Sequence, residues 1–317
     1  MPDSPPQAAP ESFPPQEGAA AEAASAGRAL LAGRRVCIIG LGLMGGSFGL
    51  ALRQARVVGE VVGVARRAAI AEEAVARGVV DRATLDATAA VAQSDIVILC
   101  TPVRTIIRQL AELGPSLRPG TIVADMGSTK RAICRAMDDL PTGVQPVGAH
   151  PMCGKETAGL AAADPDLYRG KVWVICPLAR SSPTAVAAVE ALGRAVGARP
   201  LHLDPARHDR LVAAISHLPY LLACSLVAAV DALAQSDPAV WDVAASGCRD
   251  TSRLAASDVA MLLDIRCTNR DAVLAVGDGF QGALAGLADR LRHGDEAGMA
   301  VELERLQRIR QGLFRSI

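Results

Sequence analysis

Residues 35–46 read RVCIIGLGLMGG, an apolar, β-branched run that ends in the pattern G-x-G-x-x-G. The pattern predicts a strand, a tight turn and the first turn of a helix, with Gly40 turning the chain and Gly45 letting helix and strand pack closely. Gly42 leaves room for the backbone to approach a pyrophosphate, whose charge the helix N-terminus stabilises. The stretch therefore predicts a dinucleotide site, with contacts from Gly40, Gly42, Leu43, Met44 and Gly45.

The second predicted strand, Glu60–Val64, indicates which dinucleotide is bound. In dinucleotide-binding folds an acidic residue after this strand selects an unphosphorylated ribose. This chain instead has Ala65, followed by Arg66 and Arg67, and guanidinium groups suit a 2′-phosphate. We expect NADP to bind at least as well as NAD, with NADP favoured; the alternative is that both arginines only begin a solvated helix. Thr101, after a later strand, is a further expected cofactor contact.

Strand and helix patterns alternate over residues 34–204 and change abruptly after them. Short β-branched runs alternate with Ala-rich helices, which is typical of a parallel sheet covered on both faces. After Asp204 the strand signals stop and helical patterns continue. We therefore expect an α/β Rossmann-like doubly wound parallel sheet in residues 34–204 and an all-helical C-terminal dimerisation domain in residues 205–317. The predicted strands are Arg35–Gly40, Glu60–Val64, Asp95–Cys100, Thr121–Asp125, Val144–Ala149, Lys171–Cys176 and Arg199–Leu203.

The two ends of the chain lead to two further expectations. Residues 1–33 have almost no large apolar side chains and predict a disordered tail, because such a segment cannot recover its ordering entropy. The Ala- and Leu-rich helices of residues 205–317 carry more apolar surface than one small layer can hide. We expect that half to form a homodimer.

The composition argues against nucleic acid as a ligand. Half of the 317 residues are apolar, and 33 basic residues balance 33 acidic ones. No general positive field is left to hold a polyanion, and aromatic residues are only 3% of the chain, so few rings are available on which bases could stack. With so few rings, we expect cores of Ala, Val, Leu and Ile.

Cysteine and targeting patterns favour a cytoplasmic protein. The eight cysteines are scattered singly, as expected of reduced, packed thiols, and neither they nor the histidines show metal-ligand spacing. The N-terminus lacks the basic start and apolar core of a signal peptide. The uncharged run 211–230 has Ser216, His217, Pro219 and Tyr220 in its middle, which predicts a buried helix of a soluble protein and not a membrane span.

Four polar clusters interrupt the apolar pattern. Two follow predicted strands, at residues 125–130 (DMGSTK) and 148–156 (GAHPMCGKE), and ligands of open α/β sheets bind at the carboxyl ends of strands. The other two lie in the helical half, at residues 207–220 (RHDRLVAAISHLPY) and 247–255 (GCRDTSRLA). On a helix, one stripe would hold Asp209, Ala213, Ser216, His217 and Tyr220.

With these motifs the chain resembles the prephenate dehydrogenase family, which includes arogenate and cyclohexadienyl dehydrogenases and makes the precursor of tyrosine. The resemblance runs from Arg34 to the C-terminal helix. It rests on G-x-G-x-x-G, Gly-Ser-Thr-Lys, His-Pro-Met-x-Gly-x-Glu, His-Asp followed by Ser-His-Leu-Pro, and Arg-Asp-Thr-Ser-Arg-Leu-Ala, in that order. It implies oxidative decarboxylation: a cyclohexadienol gives a hydride to NAD or NADP, loses its ring carboxylate as CO2 and becomes aromatic.

The resemblance also implies roles for individual residues. His150 matches the catalytic histidine that accepts the hydroxyl proton, and Ser128 matches a serine that hydrogen-bonds near it. Arg253 matches an arginine that anchors a substrate carboxylate. His217 matches a histidine of the substrate pocket, and we expect Asp209 to orient it. For His150 and Ser128 the less favoured alternative is a loop residue that caps a helix. Judged by itself, Arg253 would more often form a surface ion pair, and His217 would more often be a satisfied core residue.

Two departures from the family leave the substrate open. Many relatives have a second histidine where this chain has Tyr220, a substrate-binding position, and some have a tryptophan where it has Leu262. In the family both positions lie near the substrate side chain, which carries a ketone in prephenate and an ammonium group in arogenate. The resemblance therefore implies a prephenate or an arogenate dehydrogenase without choosing between them.

Two other functions compete with this interpretation. A 3-hydroxyacid dehydrogenase also joins a dinucleotide domain to a helical one, but that class uses a catalytic lysine in the helical half, and no lysine follows Lys171. A dinucleotide-binding sensor without catalysis is the second alternative. The joint presence of His150, Ser128 and Arg253 argues against it, because a protein without catalysis has no need of them.

Overall fold

A computed structural model describes residues 25–313 of the chain. The chain divides into two compact units, residues 1–205 and 206–317. Residues 25–31 form helix α1, and Leu31 is buried in the core of the first unit. This part of the chain is ordered, unlike the predicted tail, because Leu31 supplies an apolar anchor. The prediction for residues 1–24 lies outside the described residues.

The first unit contains an eight-stranded sheet whose strand order is β3-β2-β1-β4-β5-β6-β7-β8. All neighbouring strands are parallel except β6 and β7, which are antiparallel. The strands are β1 (Arg35–Ile39), β2 (Glu60–Val64), β3 (Arg82–Thr84), β4 (Ile96–Leu99), β5 (Ile122–Asp125), β6 (Gln145–Pro151), β7 (Val172–Pro177) and β8 (Arg199–His202).

The predicted doubly wound parallel sheet is confirmed, but two of its features were not predicted from the sequence. The segment between β6 and β7 contains only a short 3-10 turn, Leu160–Ala162. Because no crossover helix carries the chain back to the opposite edge of the sheet, β7 begins at the edge where β6 ends and runs antiparallel to it. The edge strand β3 was also missed. It has three residues, none fully buried, so it lacks the apolar run by which buried parallel strands are identified.

Six further helices belong to the first unit. They are α2 (Leu43–Ala55), α3 (Ala68–Ala76), α4 (Ala87–Ala92), α5 (Val103–Leu113), α6 (Arg131–Asp138) and α7 (Pro183–Ala195). As the Ser182-Pro183 pair predicts, α7 begins with a capping bond, in which the amide of Ala185 donates to the Ser182 hydroxyl at 3.2 Å.

The core of the first unit contains an aromatic cluster that the composition did not predict. The rings of Phe48, Tyr168 and Trp173 lie with their centroids 5.6–5.9 Å apart, and all three side chains are fully buried. Aromatic pairs at this separation contribute beyond the area that they bury. The expectation of a core made only of Ala, Val, Leu and Ile is therefore wrong where α2 packs on the sheet.

The second unit is helical throughout its described residues, 206–313. Its helices are α8 (Pro205–Val212), α9 (Leu218–Ala234), α10 (Ala239–Asp242), α11 (Ser246–Ser252), α12 (Val259–Thr268), α13 (Arg270–His293) and α14 (Glu296–Leu313). A π-helical turn, Ala213–His217, joins α8 to α9, and the Leu218 amide bonds to the carbonyl of Ala213. Pro219 follows and lacks an N–H for the normal ladder, so the helix widens just before it.

The second unit also carries most of the exposed apolar surface. Of the 18 large hydrophobic side chains exposed in the described part of the chain, 15 lie between Leu211 and Leu313. The segment Pro205–Ala234 is long and apolar enough to cross a membrane, a property shared by core helices of soluble proteins, and only 22% of its most apolar window is buried within the chain. The expectation of a buried helix is thus not met within one copy, which leaves an apolar surface for a partner to cover.

Candidate active site

The glycine loop between β1 and α2 has the shape that its sequence predicts. Gly40 has φ +101°, and a Cβ there would lie 2.8 Å from Cγ2 of Thr101. A Cβ on Gly45 would lie 2.1 Å from the carbonyl oxygen of Gly40, so only glycine permits this contact between helix and turn. Around Gly42 nothing lies within 4 Å of the Cβ position. The loop is therefore closed where it packs on the sheet and open at Gly42.

The open side of the loop is the N-terminus of α2. Gly42 is the N-cap residue and supplies no side-chain cap, and the first helical turn carries no acidic residue. The first amides of a helix have no partner within the helix and favour an anion. The unobstructed backbone at Gly42 and the uncapped first turn of α2 thus fit a dinucleotide pyrophosphate.

Tyr168 holds the glycine loop through a hydrogen bond to the first turn of α2, a role that the sequence did not predict. Its hydroxyl donates to the carbonyl oxygen of Met44 at 2.6 Å, and its side chain is fully buried against Phe48. Burial raises the pKa of Tyr168 well above its ordinary value, so the hydroxyl keeps its proton as a donor. The link spans 124 residues of sequence, and no local pattern signals such a distant contact.

The end of β2 is apolar and is followed by two exposed cations. Ala65 is buried with 6% exposure, whereas Arg66 and Arg67 are exposed and Arg67 is the N-cap residue of α3. No ion pair within residues 25–313 uses either guanidinium. Thr101 is half-buried next to Gly40 and donates its hydroxyl proton to Oε1 of Gln109 at 2.7 Å.

A buried ion pair joins the carboxyl ends of β5 and β6. Asp125 and Lys130 are both completely buried, and the Lys130 ammonium bonds to the Asp125 carboxylate. The same carboxylate accepts the amides of Gly127 at 2.8 Å and Ala149 at 3.0 Å. The Lys130 ammonium also donates to the Ala149 carbonyl at 2.6 Å. Both polar groups of Ala149 are therefore held by this pair, directly before His150.

His150 and Ser128 lie at one edge of the sheet. β5 and β6 are parallel, with Ala124 opposite Val147, so the residues that follow Asp125 and Ala149 emerge at the same carboxyl edge. Both His150 and Ser128 are half-buried. The glycine loop after β1 belongs to this edge as well, because β1, β4, β5 and β6 are all parallel.

In the second unit, Asn269 holds His217 in one tautomer. The Asn269 side-chain amide donates to the Asp209 carbonyl at 2.8 Å, and its nitrogen lies 3.2 Å from Nδ1 of His217. Because a carbonyl only accepts, the first bond orients the amide, so Nδ1 of His217 accepts and Nε2 carries the proton. Burial, together with nearby Arg266, lowers the pKa of His217 to about 4. His217 is a neutral donor near pH 7.

Asp209 takes part in this arrangement through its backbone. Its carboxylate bonds to Nδ1 of His208 at 2.8 Å, while its carbonyl binds Asn269, which the sequence analysis missed. On the predicted helical stripe Asp209, Ala213 and His217 are buried, but Ser216 is exposed. The π-helical turn changes the register there, so a regular helical projection fails at Ser216.

Tyr220 and Arg253, the other predicted substrate contacts, lie on elements of the second unit that pack against each other. Tyr220 is half-buried near the start of α9, and the guanidinium of Arg266 lies 3.9 Å from its ring centroid. Arg253 is exposed and begins a 3-10 turn, Arg253–Ala256, directly after α11. Among the described residues no cluster of His, Cys, Asp and Glu could hold a metal ion.

Two family models match the chain. One is described as the nucleotide-binding domain of prephenate dehydrogenase and matches residues 48–201. The other is described as the prephenate dehydrogenase dimerization domain and matches residues 204–305. The two matches follow the division into a sheet unit and a helical unit.

Individual relatives agree with these models. A prephenate dehydrogenase of Bacillus subtilis is 32% identical over 241 residues, which are 75% of this chain and 65% of that enzyme. The chain thus spans slightly less than two thirds of that relative. A cyclohexadienyl dehydrogenase of Zymomonas mobilis is 31% identical over 252 residues, covering 78% of this chain and 85% of that enzyme.

A solved structure has the same fold. The crystal structure of prephenate dehydrogenase from A. aeolicus in complex with hydroxyphenyl propionate and NAD+ superimposes with a TM-score of 0.83 at 28% identity. The match covers 88% of this chain and 98% of that one. The sheet followed by helices is therefore an architecture that a solved dehydrogenase shares.

Proposed function

The chain belongs to the prephenate dehydrogenase family, and we propose on this basis that it catalyses the oxidative decarboxylation of prephenate or arogenate to 4-hydroxyphenylpyruvate or tyrosine with NAD(P). The observation that carries the proposal is the carboxyl edge of the sheet. There the open position at Gly42 follows β1, and the half-buried His150 lies near the end of β6, a strand of the same sheet that runs parallel to β5. Such an edge suits a dehydrogenase, which needs a dinucleotide and a proton acceptor together.

The cofactor is a nicotinamide dinucleotide, as the nucleotide-binding family model and the NAD+ complex of the A. aeolicus relative support. Within this class we propose that NADP binds at least as well as NAD. The support is the absence of a carboxylate at Ala65 and the exposure of Arg66 and Arg67, since an arginine fork binds a phosphate through two parallel bonds. Gly40, Gly42, Leu43, Met44, Gly45 and Thr101 would hold the rest of the dinucleotide.

In the proposed reaction His150 moves one proton. A bound nicotinamide would supply the acceptor for the hydride that leaves the ring carbinol carbon. His150 accepts the hydroxyl proton as that carbon is oxidised, and a neutral imidazole suits this task near pH 7. The ring carboxylate then leaves as CO2, its bonding electrons make the ring aromatic, and the proton on His150 returns to the phenolic oxygen. Ser128 is proposed to hydrogen-bond near the same hydroxyl.

Homodimerisation through the helical unit is part of the proposal. The matching family model is a dimerization domain, and the exposed apolar side chains concentrate in this unit. A homodimer would cover the apolar surface of Pro205–Ala234 without a membrane. We accordingly propose a soluble, cytoplasmic enzyme.

We expect the substitution Arg253→Ala to act chiefly on KM. Arg253 is proposed to bind a substrate carboxylate, and loss of this charge-assisted pair costs roughly 2–4 kcal/mol, or about 30-fold or more in KM. Steady-state kinetics at saturating cofactor measure the effect. Arg249→Ala is the matched control, because Arg249 is exposed one helical turn earlier and pairs with Asp250. If the two variants have equal KM values, Arg253 does not bind the substrate carboxylate.

A two-by-two assay tests the proposed function directly. Purified protein is given prephenate or arogenate, each with NAD or NADP, and formation of the reduced cofactor is followed by absorbance. We expect turnover of at least one substrate and a kcat/KM with NADP no lower than that with NAD. If neither substrate reduces either cofactor, the proposed function is wrong. If NAD is preferred by more than about tenfold, about 1.4 kcal/mol, the role given to Arg66 and Arg67 is wrong.

A further inference from the structure

Arg266, on α12, is a half-buried cation without an anionic partner. Its guanidinium donates to two carbonyl oxygens, those of Leu262 at 2.9 Å and His217 at 3.3 Å. Its Nε atom is buried and has no hydrogen-bond partner. No ion pair in the described part of the chain includes Arg266. Five N–H donors are available on a guanidinium, so most of its donor capacity is unused.

The groups around Arg266 leave its charge uncompensated. The guanidinium covers the Tyr220 ring at 3.9 Å, and the pKa of Tyr220 is raised by a hydrogen bond with Cys224 and by burial, so the phenol is neutral. His217 is neutral as well, because burial lowers its pKa to about 4. Stacking on a ring and bonding to carbonyls orient a guanidinium without cancelling its charge.

An unpaired cation that is partly removed from water attracts an anion, because buried charges are stable only when they are paired. Arg266 touches the side chain of Tyr220 and the backbone of Leu262. Tyr220 and His217, whose carbonyl also accepts from Arg266, are both proposed substrate contacts. The cation therefore lies beside a neutral His217 that can still donate from Nε2.

We propose that Arg266, braced on Tyr220 and His217, is a cationic specificity determinant that selects the anionic 2-oxo side chain of prephenate over the ammonium-bearing side chain of arogenate. The inference rests on the proposed function and names the substrate that the proposed function leaves open. A ketone and a carboxylate accept hydrogen bonds from the unused guanidinium donors. An ammonium group at the same place meets a like charge, and like-charge contacts in a partly desolvated site strongly disfavour the wrong partner.

The test compares the wild-type protein with Arg266→Met, which retains an unbranched side chain and removes the charge. The measured quantity is the ratio of kcat/KM for prephenate to that for arogenate. We expect wild-type protein to favour prephenate by about tenfold or more, and the substitution to reduce the ratio by about tenfold or more through the KM of prephenate. Arg266→Lys, which keeps a charge but not the planar fork, should retain part of the preference.

A binding measurement separates this inference from the proposed function. Dissociation constants of 4-hydroxyphenylpyruvate and tyrosine, measured by calorimetry with cofactor present, report the same selection without turnover. Arg270→Met is the matched control, because Arg270 is exposed at the start of α13, and it should leave both ratios unchanged. If wild-type protein turns over neither substrate, the proposed function fails; if it turns over either one and Arg266→Met leaves both ratios unchanged, the role of Arg266 is wrong. A change only in the dimer equilibrium would likewise overturn it and place Arg266 at an interface.

Discussion

Replacing His150 by asparagine is expected to lower kcat by about 10²-fold or more, because loss of a general base costs about 10²- to 10⁴-fold. Asparagine can still hydrogen-bond but cannot accept a proton near pH 7. The dissociation constant of the cofactor should change little, since the glycine loop after β1 is untouched. Stopped-flow measurement of cofactor reduction, combined with cofactor titration, checks both parts of this expectation.

The control for this variant is His202→Asn. His202 lies on the edge strand β8, is exposed, and contacts the Glu190 carboxylate. Its replacement should leave kcat within about twofold, as surface substitutions usually change little. If the His150→Asn variant has the kcat of the wild-type protein, His150 is not the general base.

The pH profile provides a second check on His150. His217 has a pKa of about 4, so its titration lies below the range in which an ordinary imidazole changes charge. If kcat/KM rises with pH between about 5 and 8, the rise should disappear in His150→Asn. A rise that persists in that variant would assign the essential base to another group.

Local sequence patterns predicted the parts of the fold that depend on neighbouring residues. The order of Gly40, Gly42 and Gly45 predicts the turn, the open side and the close packing, because each property belongs to a backbone position within one loop. The Ser182-Pro183 pair likewise predicts the start of α7. In both cases the residue type and its spacing already contain the physical cause.

Contacts between distant segments could not be predicted in this way. Tyr168 bonds to Met44, and Asn269 joins Asp209 to His217, yet no repeat or spacing connects these residues. The antiparallel pairing of β7 with β6 was not predicted for a related reason. The apolar run of a buried strand does not show in which direction the strand runs. At the candidate site, the residues that could not be predicted are mainly those that hold the predicted site residues in place.

The buried pair of Asp125 and Lys130 is such a support, and the substitution Lys130→Met should have a large effect on stability. Both side chains are completely buried, so removing the ammonium leaves a carboxylate that water cannot reach. Breaking a buried pair in this way costs about 3–5 kcal/mol, because the remaining charge is uncompensated. Chemical denaturation measures this loss of the free energy of unfolding.

Two comparisons isolate the cause. In the double variant Asp125→Asn with Lys130→Met both charges are absent, and it should be more stable than Lys130→Met alone because no uncompensated charge remains. Lys155→Met is the surface control: Lys155 pairs with Asp164 at 2.7 Å, and both side chains are largely exposed, so its loss should cost less than about 1 kcal/mol. Equal losses at Lys130 and Lys155 would contradict the buried pair.

The pair should also act on turnover, through Ala149, the residue that precedes His150. Lys130 donates to the carbonyl of Ala149, and Asp125 accepts the amide of Ala149, so the peptide groups on both sides of Ala149 are fixed directly before the imidazole. A small displacement of a reacting group lowers the rate steeply, because the aligned geometry is lost. In the double variant, assayed well below its melting temperature, kcat should therefore fall by about tenfold or more while the cofactor dissociation constant stays unchanged. A purely structural role predicts recovery of kcat along with stability, so wild-type kcat in the stable double variant would show that the pair holds the fold without positioning His150.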